Sequence, residues 1–128
     1  MNHRPDAAEV TAFAVDAFET AFAANPTTDV CAFVPVPSHP HFNEVLAELI
    51  RVDLELRWRR GRPVRLWDYL DRWPILTSDS TLLAGIAFEE YRQRRLAGEL
   101  VSAAEYGEEY GIDVAAWPPI QSRPVRSR

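Results

Sequence analysis

The stretch "DLELRWRRGRPVRLWDYL", Asp53 to Leu70, decides how this chain folds. Five arginines lie within the nine residues Arg57–Arg65, around an Arg-Gly-Arg-Pro core of the kind an AT-hook lays into the DNA minor groove. Two readings compete: an extended basic strip, or a helix that ends in arginine. The residues upstream favour the helix. Phe42, Val45, Leu46, Leu49, Ile50, Leu54 and Trp58 recur at three- and four-residue spacing, which predicts one apolar face of a helix from about Phe42 to Arg60. Asp53 with Arg57, and Glu55 with Arg59, are i,i+4 pairs in the favourable order. Arginines in the last turn complement the negative end of the helix dipole. Gly61 then supplies a left-handed residue just past the helix end, and Pro63 prevents resumption. A short helix follows from Leu66 and stops before Pro74.

Thirty-seven positions later the plan returns. Asp53 falls on Glu90, Arg57 on Arg94, Gly61 on Gly98, Val64 on Val101, Asp68 on Glu105, Tyr69 on Tyr106 and Trp73 on Tyr110. The turn reads "RRGRPV" in one copy and "LAGELV" in the other, so the glycine persists while the flanking charges do not. This later unit is expected to run from an N-cap at Asp79 or Ser80 through a helix over 81–97. Gly98 should stop that helix, and a Ser102–Glu105 capping box should open a final helix over 103–110. A weaker copy lies upstream, with Phe18 on Leu54, Phe22 on Trp58, Asn25 on Gly61 and Phe33 on Tyr69. Asn is the usual substitute for Gly where backbone turns left-handed, so Asn25 joins Gly61 and Gly98 as an expected structural turn. The fold class that follows is all-α, about three degenerate helix–turn–helix units (7–35, 42–74 and 79–111) in one domain spanning 7–117. Flexible tails are expected over 1–6 and 118–128, and a Pro-rich connector over 35–40.

The composition suits one soluble domain, with 47% hydrophobic residues, 11% aromatic residues and a net charge of −5. That charge repels polyanions unless the positive residues are segregated. Asp6 precedes the apolar stretch Ala7–Ala24, and Glu9, Asp16 and Glu19 interrupt it, which argues against a signal sequence or a membrane span there; a cytoplasmic protein is the default. Cys31 is the only cysteine, so no intramolecular disulfide can form.

The motifs of catalysis and cofactor binding do not occur. There is no nucleophile elbow, Gly-rich phosphate loop or H-E-x-x-H sequence. His39 and His41 with Cys31 match no zinc spacing, and the histidines read as exposed residues of the Pro-rich connector. Glu89–Glu90 and Glu108–Glu109 read as salt-bridged helix faces. The expectation is therefore a non-enzyme with no cofactor and no metal. Trp58, Tyr69, Trp73, Tyr91, Tyr106 and Tyr110 sit at matched positions and read as core. Trp67 falls instead on Ala104, so the scaffold does not require a ring there; beside Arg59, Arg62 and Arg65 it has the composition of a partner-binding hot spot. A Trp folded over the loop is the equal alternative.

The strings "ELIRVDLELRWRRGRPVRLWDYLDRWPIL" and "FEEYRQRRLAGELVSAAEY" resemble a segment that precedes the catalytic domain in planctomycete serine/threonine protein kinases. The resemblance extends from about Phe18 to Tyr110 and is most specific over Asp53–Trp58, Gly61, Asp68–Leu70 and Pro74. It departs at Trp73, where Phe is more usual, and at Gly107, which should interrupt the last short helix. No kinase catalytic element is present, so no catalytic residue carries over. The resemblance implies a regulatory or docking helical module whose partner is another protein, a serine/threonine kinase or other signalling protein among the candidates. Nucleic-acid binding through Arg57–Arg65 is the alternative. Because nothing polar caps the last unit, a homodimer is also compatible with the sequence.

Overall fold

The computed structural model describes residues 5–118 and Ile120. Both expected tails fall largely outside these residues. Among the described residues there are five α-helices, two short 3-10 turns and no strand. The helices are α1 (Ala7–Ala24), α2 (Phe42–Arg59), α3 (Leu66–Arg72), α4 (Ser80–Leu96) and α5 (Ala103–Tyr110); the 3-10 turns are Val30–Phe33 and Pro74–Ser78. No described helix is long and apolar enough to cross a membrane.

The three long helices lie side by side with α2 in the middle, and all three point the same way. At one end Glu44 and Glu48 of α2 meet Ala7 and Thr11 of α1 on one side and Thr81 and Gly85 of α4 on the other. At the other end Arg57 and Arg60 reach the ring of Phe22, while Trp58 and Arg59 face Leu96 and Ala97. Parallel neighbours require each return to cross the length of the bundle, and the short elements make that crossing. They form a second layer, joined by Arg72 to Asp29 at 3.0 Å and by Trp67 Nε1 to Glu109 at 2.8 Å. Because α2 is covered on two sides, it carries two apolar faces. Leu46, Ile50 and Leu54 pack with Leu66, Tyr69, Ile86 and Tyr106, whereas Val45, Leu49 and Val52 pack with Phe18, Phe22 and Val30.

Gly61 and Gly98 end α2 and α4 in the same way. Their φ angles are 72° and 92°, in the region where a Cβ is strained. After α2, the Arg62 N–H donates to Arg57 O and the Gly61 N–H to Trp58 O; after α4, Glu99 donates to Arg94 O and Gly98 to Arg95 O. Both are Schellman closures, which satisfy carbonyls the helix leaves open. Asp79 caps α4 through Thr81 N and Leu82 N. Asp68 and Ser102–Glu105 close the starts of α3 and α5. The arginine strip is thus helix through Arg59, cap at Arg60 and turn from Gly61.

The first unit departs from this plan. Asn25 is not left-handed: its φ is −147° and its ψ is 102°. The reason is Pro26, whose ring clashes with a helical or left-handed residue before it and forces Asn25 to be extended. Asn25 acts through its side chain instead, accepting from Thr27 N at 3.1 Å. The expected second helix of this unit is only the 3-10 turn Val30–Phe33, cut short by Pro35 and Pro37. Gly107 differs from expectation in the opposite sense, because α5 runs through it unbroken. A Cβ there would meet Ile112 O at 3.4 Å and Val114 at 3.6 Å, so the glycine admits the chain that folds back over α5. That returning segment covers the edge expected to be bare. Ile112 is buried, and the Trp117 ring sits 5.3–5.7 Å from Phe88, Tyr91 and Tyr106.

Candidate functional site

Two buried polar clusters occupy equivalent places in the second and third units. In the second, Asp53 on α2 is 2% exposed and accepts the Tyr69 hydroxyl at 2.5 Å and both contacts of Arg57 Nε at 3.0 Å. In the third, Glu90 on α4 is also 2% exposed and accepts the Tyr106 hydroxyl at 2.6 Å. Helical spacing places carboxylate and arginine one turn apart, and the glycine turn returns the short helix so that its tyrosine meets them. The two sites differ in detail. Arg57 extends to Thr28 O at 3.1 Å, tying α2 to the first unit. Arg94 turns to Glu99 and to the Tyr106 oxygen, 3.0 and 3.1 Å away, and stands 3.9 Å from Glu90. Glu90 has one more methylene than Asp53, and its second oxygen accepts the N–H of Leu66 at the start of α3. One carboxylate thereby links two units.

Burial, and then the adjacent Asp53 charge, push the Tyr69 phenol well above its usual range. For Tyr106 the cause is again burial first, then the hydrogen bond to Glu90. Both phenols are held as neutral donors. Each cluster exchanges hydrogen bonds within itself and so satisfies charges that would be costly to bury alone.

Beside the first cluster a cleft of about 270 Å³ opens between the 3-10 turn and α3, walled by Asp29, Asp53, Arg57, Asp68, Tyr69 and Arg72. Its ionised groups are partnered: Arg57 with Asp53, Arg72 with Asp29, and Asp68 with Arg65 N. The Cys31 backbone N–H, aided by Arg72, holds the Asp29 carboxyl below the usual carboxylate range despite some burial. Among the described residues no group of three or more His, Cys, Asp or Glu is arranged to hold a metal ion. His39 and His41 are half-buried rather than exposed, with His39 Nδ1 accepting the His41 N–H at 3.0 Å.

Glu89 and Glu90 have the arginine partners expected of them, but both are buried rather than lying on an open helix face. Glu89 is buried between α2 and α4, where Arg51 reaches it at 2.8 Å, Arg92 at 2.8 Å and Gln93 at 2.9 Å. Arg92 also bonds Glu55 at 2.7 Å, and Arg59 lies 3.5 Å from the same carboxylate. A continuous chain of ion pairs therefore crosses the α2–α4 seam.

The four residues singled out for partner binding fall on two surfaces. Trp67 is 49% exposed, with its ring 5.2 Å from Tyr110 and its N–H on Glu109. It is folded onto α5 and open to solvent at once. Arg65 sits close enough to act on the Tyr110 phenol electrostatically. Arg62 and Arg65 are exposed, and their side chains make no hydrogen bond or ion pair among the described residues. Arg59 faces the other way, into a groove with Trp58, Arg92 and Leu96. In comparisons with known proteins, no family model matches the chain, and neither a curated protein nor a solved structure matches it.

Proposed function

We propose that this protein is a non-enzymatic helical docking module that recognises another protein. The observation that carries this reading is how the chemistry is distributed. The buried carboxylates Asp53, Glu89 and Glu90 are spent on joining helices, whereas Arg62, Arg65 and half of Trp67 are left to solvent. A partly exposed Trp held rigid by Tyr110 and Glu109 loses little side-chain entropy on binding, and the Arg62 and Arg65 guanidinium groups, which have no ion pair among the described residues, precede it closely in the chain. Resemblance to segments that precede kinase catalytic domains supports a serine/threonine kinase or another signalling protein as the partner class.

The test is capture of a partner from lysate by wild-type protein and by an Arg62→Glu, Arg65→Glu variant. Both side chains are exposed, so helicity and melting should be unchanged. Arg65 serves the α3 cap only through its backbone, which the substitution keeps. Loss of the captured protein is the expected result, with Trp67→Ala giving the same loss at some cost in stability. Undiminished capture by both variants would refute this surface.

A further inference from the structure

The parallel arrangement brings the last turns of α2 and α4 together, and a groove of about 420 Å³ lies between them. Trp58, Leu96 and Ala97 supply its apolar wall, and Arg59 and Arg92 its polar one. Leu96 is 39% exposed, and Leu100, on the turn after Gly98, is 95% exposed. Leu96 lines the groove, Leu100 follows it by four residues, and both face solvent among the described residues. The charge at this end of the two helices is carried mainly by arginine: Arg59, Arg60 and Arg62 after Glu55, and Arg92, Arg94 and Arg95 after Glu90. Glu55 is shared by Arg92, which also holds Glu89, and by Arg59, whose side chain is 63% exposed; Arg62 on the neighbouring turn has no ion pair among the described residues. In a chain of net charge −5, this end carries uncompensated positive charge.

We infer that this groove binds an acidic segment of a partner protein, with a bulky apolar side chain of that segment seated between Trp58 and Leu96. The inference rests on the docking reading above and names the partner's chemistry. Complementary charge steers such a segment to the groove, and the leucines and tryptophan supply the buried contact. Nucleic acid fits less well. Arg57 is locked on Asp53 and Thr28, and Arg60 lies over Phe22, so the arginines do not form a free row along a phosphate backbone. The exposed anchors are aliphatic, whereas single-strand binders present aromatic faces for bases to stack on.

The probe is a short synthetic peptide rich in Glu and Asp that carries two leucines one helical turn apart, labelled for fluorescence anisotropy. It is compared with its Lys counterpart, its Leu-to-Ser counterpart, and single-stranded and duplex oligonucleotides. Expected results are binding of the acidic leucine peptide alone at low salt, and amide shifts in the full chain at Trp58, Arg59, Leu96 and Leu100. Leu100→Ser, at a site too exposed to act through the fold, together with Leu96→Ser should weaken that binding about tenfold or more. The melting temperature of each variant separates lost contact from lost structure, and Leu100→Ser alone should already weaken binding. Absence of binding, insensitivity to both serine substitutions, or tighter binding of either oligonucleotide overturns the inference. Shifts confined to Trp67 and Arg65, abolished by Trp67→Ala, would remove the groove while leaving the docking reading intact.

Discussion

Replacing Tyr106 and Tyr69 with phenylalanine, one at a time, tests whether the two buried clusters hold the units together in the way their geometry indicates. The same group is removed from the same place in each unit, so differences must come from the partners left behind. Tyr106 donates to Glu90 at 2.6 Å and accepts from Arg94 at 3.1 Å. Without it, the Glu90 oxygen concerned has only Arg94, 3.9 Å away, to turn to. A hydrogen bond to a charged group contributes about 1.5–3 kcal/mol, and a shift of Arg94 recovers part of it, so a loss of about 2 kcal/mol is expected. Asp53 is better protected: Arg57 Nε stays 3.0 Å from both carboxylate oxygens when the Tyr69 hydroxyl is gone. Tyr69→Phe should therefore cost only about 1 kcal/mol.

Urea unfolding followed by circular dichroism measures both, with the slope of the transition checking that the unfolded state is unaltered. In thermal melts the two variants should fall by roughly 6–10 °C and 3–5 °C, given the size of the domain. Equal losses, or a larger loss for Tyr69→Phe, would show that the arginine placements do not decide how each carboxylate is satisfied.

Gly61→Ala and Gly98→Ala should each destabilise by roughly 1 kcal/mol, because both φ angles are positive while nothing lies within 4 Å of the added Cβ; a neutral or stabilising outcome in urea at either site would contradict the turn geometry. Tyr69 and Tyr106 have folded-state pKa values raised above the ordinary 10.0. Their stabilising contribution is therefore complete below about pH 10 and lost as pH rises toward the folded values. Phenolate absorbance from these two residues should grow only together with loss of helix, and titration near pH 10 with the helices intact would rule the burial out. Trp117→Ala should cost about 2–4 kcal/mol, below or within the range for fully buried aromatics because this ring is half-buried; a variant that melts like wild type would mean the returning segment does not seal the edge.

The sequence made the helices legible where local chemistry was strong. Gly61, Gly98, Asp79 and the Ser102–Glu105 box each act within a turn of chain, and the structure places each in its expected role. What escaped depended on distance. Asp53 with Arg57 and Glu90 with Arg94 look like surface pairs at i,i+4. Only the return of Tyr69 and Tyr106 from sixteen residues onward shows that they are buried. The signal was present, since carboxylate, arginine and tyrosine recur together at one spacing, but spacing does not say which face a pair occupies. Asn25 failed for a local reason, Pro26, that outweighs the preference of Asn for left-handed backbone. Trp117 had no counterpart in the other units, so comparison between units could not reveal it.

The first unit shows why the polar clusters are best regarded as links rather than as chemistry. Ala17, Ala21 and Phe33 stand where Asp53, Arg57 and Tyr69 stand one unit later, and Phe33 packs edge-on against Phe18 at 5.6 Å. An apolar set of this kind closes a hairpin without the desolvation cost of a buried ion pair. Its limitation is reach: it offers nothing to a backbone group outside its own hairpin. The later units each need such a contact, Arg57 reaching Thr28 O and Glu90 reaching Leu66 N. In both clusters the buried charge lies where a helix touches a backbone group of an earlier segment.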